Sequence, residues 1–84
     1  MRRSAVCGII VDDLILLLRR DKYDHVAPGK WCLPGGKFDD ELDKTDEDCA
    51  LRELKEETTI VTHDIKFANT VVSMNKKYLI YVFF

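Results

Sequence analysis

Three carboxylates crowded onto one short stretch make the strongest chemical statement in this sequence. In the run Arg52-Glu53-Leu54-Lys55-Glu56-Glu57, a helical turn of about 100° per residue brings Glu53, Glu56 and Glu57 into one sector of the surface. Like charges at those spacings repel by about 0.2–0.5 kcal/mol per pair. The end of a helix opposes each carboxylate by a further ~0.3–1 kcal/mol. A hard divalent cation, Mg²⁺ or Mn²⁺ in its place, reverses the sign of all these contributions, because it seeks carboxylate oxygens and keeps several waters. The competing reading is a solvated acidic face with no ligand.

The charge distribution favours a site. Residues 39–57 hold ten acids against three bases, while residues 1–38 hold seven bases against four acids, within a net charge of −2. An acidic patch beside basic loops suits a metal that chelates a phosphate chain clamped by cations. No basic stripe with interleaved aromatics is present, so no nucleic-acid partner is expected. No apolar stretch approaches the ~20 residues of a membrane span, and the amino terminus lacks a signal-peptide pattern. Cys7, Cys32 and Cys49 show no metal-binding spacing and are expected as reduced thiols in a cytoplasmic protein.

Upstream of the acidic run lies Trp31-Cys32-Leu33-Pro34-Gly35-Gly36-Lys37. Glycines between a strand and a carboxylate-bearing helix let backbone amides and a carbonyl approach phosphate and metal. Together with Arg52, Glu53, Leu54, Glu56, Glu57 and Ile60, and with Leu16-Leu17-Leu18-Arg19-Arg20-Asp21 as a second strand, this pattern resembles the signature of the Nudix hydrolases, MutT-like proteins. The resemblance runs from about residue 5 to residue 84. It implies Glu53, Glu56 and Glu57 as metal ligands with the Gly36 carbonyl, and Arg52 as the residue that orients them or braces the preceding loop. Two positions depart from the signature. The stretch from Gly36 to Arg52 is two residues too long, so either Glu41 or Asp43 stands in for the expected Glu or its role is lost. Thr59 replaces a Gly, and the helix is expected to end near Thr58 without forcing Thr into a left-handed conformation.

The elements that must position these groups read β-β-β-α-β-β in one domain, residues 1–84. Strands are expected over 5–11 and 14–20 around an Asp12-Asp13 turn, with a short strand at 31–33. Thr45 is the expected helix N-cap, with Asp48 in a capping-box position. Ala50, Leu51 and Leu54 form the apolar stripe, bordered by Glu57, with Glu53 and Glu56 turned away. The last strands span 60–72 and 77–84. The final run, Tyr78 to Phe84, is continuously apolar and suits a strand covered on both faces.

The expected fold is therefore a Nudix-like α/β/α sandwich with a mixed sheet, truncated after its fifth strand. The uncovered last strand would present an edge for a homodimer. The resemblance implies a Mg²⁺-dependent pyrophosphohydrolase acting on a nucleoside diphosphate linked to another group: a nucleoside triphosphate, a nucleotide sugar or a dinucleoside polyphosphate. A non-catalytic nucleotide-binding or regulatory domain is the alternative, and a metal-stabilised interaction module is a third reading. Arg19, Arg20 and Lys37 are candidate phosphate contacts with Gly35 and Gly36. His25 and His63 read as ordinary loop and strand residues, Trp31 as a core or hinge aromatic, and Tyr23 or Phe38 as pocket lining.

Overall fold

Alternation in the first strand sets the architecture. The computed structural model describes residues 1–23 and 28–84; His25 lies outside them. In β1 (Arg2–Cys7) Ala5 and Cys7 are fully buried, while Arg2 and Arg3 are exposed. Successive side chains of a strand point to opposite faces. Ala5 and Cys7 thus turn toward the core, which they form with Cys49, Ala50, Leu54, Ile65 and Phe83. Three of those come from α1 (Asp46–Thr58), which packs on this face of the sheet.

The chain also forms β2 (Ile10–Val11), β3 (Leu14–Ile15), β4 (Leu18–Arg19), β5 (Trp31–Cys32), β6 (Gly35–Lys37), β7 (Phe67–Val72) and β8 (Tyr78–Phe83). The main sheet has the order β6-β1-β8-β7 and is mixed, with β1 and β8 parallel and the other pairs antiparallel. This is the α/β fold expected, with one helical layer on the described sheet. Among the described residues no helix is long and apolar enough to cross a membrane.

Several boundaries differ from the expectation. The strand expected over 5–11 stops at Cys7. A Cβ on Gly8 would run into the Phe84 ring, and the chain then leaves the sheet for the β2–β3 hairpin. Asp12 and Asp13 form its turn with φ of 50° and 66°, the positive values that a two-residue hairpin turn requires and Asp tolerates. The strand expected over 14–20 divides: Leu14–Ile15 pairs with β2, but Leu18–Arg19 pairs with Trp31–Cys32. The strand expected over 60–72 begins only at Phe67. Residues before it contribute Ile65 to the core.

The terminal strand is placed differently from expectation. β8 is not an edge: β1 bonds to one side and β7 to the other. Phe83 is buried in the core, and Phe84 exchanges backbone bonds with Lys66 at 2.9 and 2.6 Å. Among the described residues β8 offers no vacant edge for the homodimer expected through it; the edge strands there are β6 and β7.

The helix starts as expected and stops otherwise. Thr45 Oγ1 accepts from Asp48 N–H at 3.0 Å, while Asp48 reaches back to Lys44 N–H at 3.2 Å. At the far end Thr59 does enter the left-handed region, with φ 65° and ψ 2°. Its N–H donates to Lys55 O at 2.9 Å. Thr58 Oγ1 donates to Leu54 O at 2.7 Å and accepts from Ile60 N–H at 3.1 Å. These bonds hold a β-branched residue where Gly is preferred. Thr59→Gly is therefore expected to raise stability by roughly 0.5–1 kcal/mol net of the added unfolded-chain entropy; thermal denaturation of the two proteins checks this, and a lower melting temperature for the variant would contradict it.

Candidate functional site

The site is built around one guanidinium. Arg52 lies midway along α1, three residues after buried Cys49, and its side chain is 19% exposed. Nε and Nη2 meet the two carboxylate oxygens of Asp43, both at 2.8 Å. Nη2 also donates to Lys37 O at 3.1 Å, and Nη1 to Glu53 Oε1 at 3.0 Å and to Glu56 at 3.3 Å. Of the two acids expected to stand in for the missing signature Glu, Asp43 is the one that meets Arg52: its side chain is 1% exposed, whereas Glu41 is exposed. The hydrogen bonds from Arg52 hold the Asp43 carboxyl below its usual range, and Asp43 in turn pushes the guanidinium up.

The extra loop length is absorbed by turns closed on Asp43 and Asp39. Asp39 N–H donates to Asp43 Oδ2 at 2.9 Å, Asp43 N–H to Asp39 O at 2.8 Å, and Glu41 N–H to Asp39 Oδ1 at 2.8 Å. Such local bonds are what short acidic side chains supply in turns.

Glycine makes room for the first carboxylate. A Cβ on Gly36 would lie 2.5–2.6 Å from the Glu53 carboxyl atoms. Glu53 therefore does not turn away, as the helical sector had suggested. It follows Cys49 by four residues and Ala50 by three, both fully buried, and at those spacings it leans against the sheet. Burial raises its carboxyl above the usual range; Arg52 opposes this, while Glu56 and Glu57 add to it. Cys49, at 3.6 Å from Gly36 O, closes the slot from beneath. Burial, with the Asp43 charge, pushes its thiol up to about 12, so it is an uncharged filler. Sequence reading gave Cys49 no such place, although its position one helical turn before Arg52 is the signal.

Glu57 is fixed separately: Oε1 accepts the Gly35 N–H at 2.7 Å. It lines a cleft of about 450 Å³ with Leu18, Arg19, Arg20, Cys32 and Gly35. Arg19 Nε donates to Gly29 O at 3.2 Å, and its guanidinium lies 5.8 Å from the Trp31 ring centroid. Trp31, expected as a core or hinge aromatic, is 64% exposed and not in the core, because β4 and β5 form a separate ribbon off the main sheet. Lys37 does not join Arg19 and Arg20. Its ammonium lies 5.9 Å from the Tyr78 ring centroid, and it borders a second cleft of about 560 Å³ with Phe38, the acidic loop, Arg52 and Glu53. Tyr23 and His63 are exposed, and neither lines these clefts.

The structure thus gathers Gly35, Gly36, Arg52, Glu53, Glu56 and Glu57, puts Arg19 and Arg20 on one flank, and leaves Lys37 on the other. Among the described residues, three carboxylates do not converge on one point: Arg52 draws Glu53 and Glu56 while Gly35 holds Glu57. The donor chemistry nevertheless fits a hard divalent cation. Glu53 and Glu57 each spend one oxygen on a protein donor, leaving the other to accept, and a bare glycine edge faces them.

A family model of the NUDIX domain matches residues 1–84. The chain is similar to the MutT protein from Methanosarcina mazei Go1 at 32% identity and a TM-score of 0.84, covering 98% of this chain and 60% of that one. It is similar to the NUDIX domain of Shewanella oneidensis NrtR complexed with ADP ribose at 29% identity and a TM-score of 0.75, covering 96% and 55%. NrtR has also been crystallised with a 27mer DNA. A third relative is the bifunctional NMN adenylyltransferase/ADP ribose pyrophosphatase from Francisella tularensis, complexed with AMP and a manganese ion, at 28% identity and a TM-score of 0.75, covering 98% and 26%. The chain spans less than two thirds of the length of each.

The Asp43–Arg52 pair makes a stability prediction. A carboxyl whose pKa falls on folding stabilises fully above its unfolded value, near 4, and that stabilisation is lost as pH falls through the folded value. Asp43→Asn should lower stability at neutral pH by about 1.5–3 kcal/mol, and the gap to the parent should close on acidification below about pH 4. Denaturant melts across pH check this; a constant gap down to strongly acidic pH would contradict the pairing.

Proposed function

This chain belongs to the NUDIX family, and from that membership we propose that it hydrolyses the phosphoric anhydride of a nucleoside diphosphate linked to another group. Mg²⁺ is the proposed cofactor, with Mn²⁺ as a substitute, held by Glu53, Glu56 and Glu57 with help from the Gly36 carbonyl. The observation that supports this reading most directly is the Glu53 carboxylate seated over Gly36, where burial and two neighbouring carboxylates oppose its charge. A divalent cation bound there supplies Lewis acidity toward phosphate oxygens and lowers the pKa of a water.

The chain's own residues do the rest. Arg52, clamped by Asp43, fixes the orientation of Glu53 and reaches Glu56. Gly35 N–H holds one oxygen of Glu57 toward the cleft. Arg19 and Arg20 border that cleft, and guanidinium forks suit phosphate oxygens. ADP-ribose joins the candidate substrates because two of the relatives bear that name in their complex or activity. The cysteines form no disulfide, which suits a reducing compartment, and we assign the protein to the cytoplasm.

A second reading, a nucleotide-binding regulatory domain without turnover, is favoured by two observations. Arg52 already satisfies part of Glu53 and Glu56, and the NrtR relative is seen with both ADP ribose and DNA. DNA binding by this chain belongs to that reading alone.

Magnesium-dependent phosphate or nucleotide release from a panel of nucleoside triphosphates, nucleotide sugars, dinucleoside polyphosphates and ADP-ribose separates the two. Hydrolysis is expected, and Mg²⁺ should raise the melting temperature by selective binding to the folded state. Glu57→Gln should remove that rise and lower turnover by on the order of 100-fold or more, since even second-shell changes at metal sites lower activity up to that far. An unchanged metal response and rate would overturn the assignment of Glu57. Tight nucleotide binding with no turnover would favour the regulator.

A further inference from the structure

On the sheet face opposite α1, Arg2 and Lys37 flank the Tyr78 phenol and Lys77 lines the hollow beside it, with no acid among the described residues paired to any of the three. Ala5 and Cys7 point to the core, so Arg2 and Ser4 point to the other face. Lys37 pairs with Ser4, and Tyr78 with Arg2, which puts Lys37 and Tyr78 on that same face. Ser4 is small, and the Lys37 side chain passes over it to within 5.9 Å of the Tyr78 ring centroid. Lys77 adjoins them, its carbonyl accepting from Arg2 N–H at 3.0 Å. Met1, Arg2, Lys77 and Tyr78 line a hollow of about 630 Å³ here. Among the described residues no carboxylate pairs with Arg2, Lys37 or Lys77.

We propose that this hollow is a phosphate-binding site, distinct from the Glu57 cleft, in which Arg2 and Lys77 receive the phosphomonoester group of a small molecule, the Tyr78 hydroxyl donates to it, and Lys37 reaches it from beside the Tyr78 ring. Like charges held together repel, and an anion between them reverses each sign. A phosphate dianion matches the set: an Arg fork takes two oxygens, ammonium groups act as point charges, and the phenol supplies a neutral donor. The Tyr78 phenol already feels the field, since hydrogen bonding by Lys37, reinforced by Arg2, lowers its pKa. The site stands independently of any hydrolysis at Glu53, Glu56 and Glu57.

The test is a titration of the protein, ring-labelled at tyrosine, with inorganic phosphate, AMP and adenosine, read by NMR. Phosphate and AMP should shift the Tyr78 resonances saturably and raise the pH at which its phenol ionises, because the bound dianion cancels the cationic field; adenosine should do neither. Equal affinity for phosphate and AMP would identify the phosphoryl group alone as the ligand, and tighter AMP binding a nucleotide; either supports the site. Lys37→Gln and Arg2→Gln, exposed positions whose loss leaves the core intact, should each weaken binding roughly tenfold or more, as expected for one charge-assisted hydrogen bond. Arg19→Ala should leave the Tyr78 response unchanged. No Tyr78 response to millimolar phosphate, a response abolished by Arg19→Ala, or full affinity in Lys37→Gln and Arg2→Gln would overturn the proposal.

Discussion

The fork between Arg52 and Asp43 is the constraint on which the site depends. A guanidinium presents donors in a rigid plane, so satisfying both Asp43 oxygens fixes the direction of its remaining nitrogen. That nitrogen reaches Glu53 and Glu56, and Nη2 also donates to the Lys37 carbonyl. One side chain thus ties the helix, the acidic loop and β6 together. The pair sits where a charge left alone is expensive: Asp43 is almost fully enclosed, and loss of either partner strands the other. The loop itself adds little apolar burial, since Leu42 is 63% exposed.

The second constraint is the thinness of β6. Gly35 cannot carry a Cβ because Ala5 O and Val6 lie against it, and a Cβ on Gly36 would displace the Glu53 carboxylate. Two successive glycines let a helix carboxylate lie on the backbone and let a backbone N–H reach Glu57. The core beneath is small, with seven buried apolar residues among those described. α1 is held by its buried face and by polar ties at both ends: Arg3 to Asp46 at 3.0 Å near its start, and Gly35 to Glu57 near its finish.

Much of this was legible in the residues. The helix, its Thr45 cap, the Asp12-Asp13 turn and the final hairpin follow from local chemistry that acts within a few residues, and the mixed α/β fold follows from their order. Asp43 was one of two candidates for the displaced acid; only burial, a tertiary property, separates it from Glu41. Other features rest on contacts far apart in sequence. Nothing near Leu14 signals that β3 stops after two residues, or that Leu18–Arg19 turns to Trp31–Cys32. The central place of β8 comes from parallel pairing with β1, more than seventy positions away, and an apolar run alone does not reveal which edges are occupied. Thr59 followed the helix stop that Gly would take, because backbone bonds from its neighbours outweighed its own preference.

The central claim is that Glu53, Glu56 and Glu57, fixed by Arg52 and the double glycine, form one divalent-cation site. Mn²⁺ titration followed by paramagnetic broadening of backbone amide signals tests it most directly, because broadening depends on distance from the bound ion and needs no substrate. The account predicts that sub-stoichiometric Mn²⁺ first broadens the amides of Gly35, Gly36, Glu53 and Glu57, and that excess Mg²⁺ restores them. Broadening centred instead on the acidic loop of Asp39, Asp40 and Glu41, or spread evenly over the acidic surface, would contradict it.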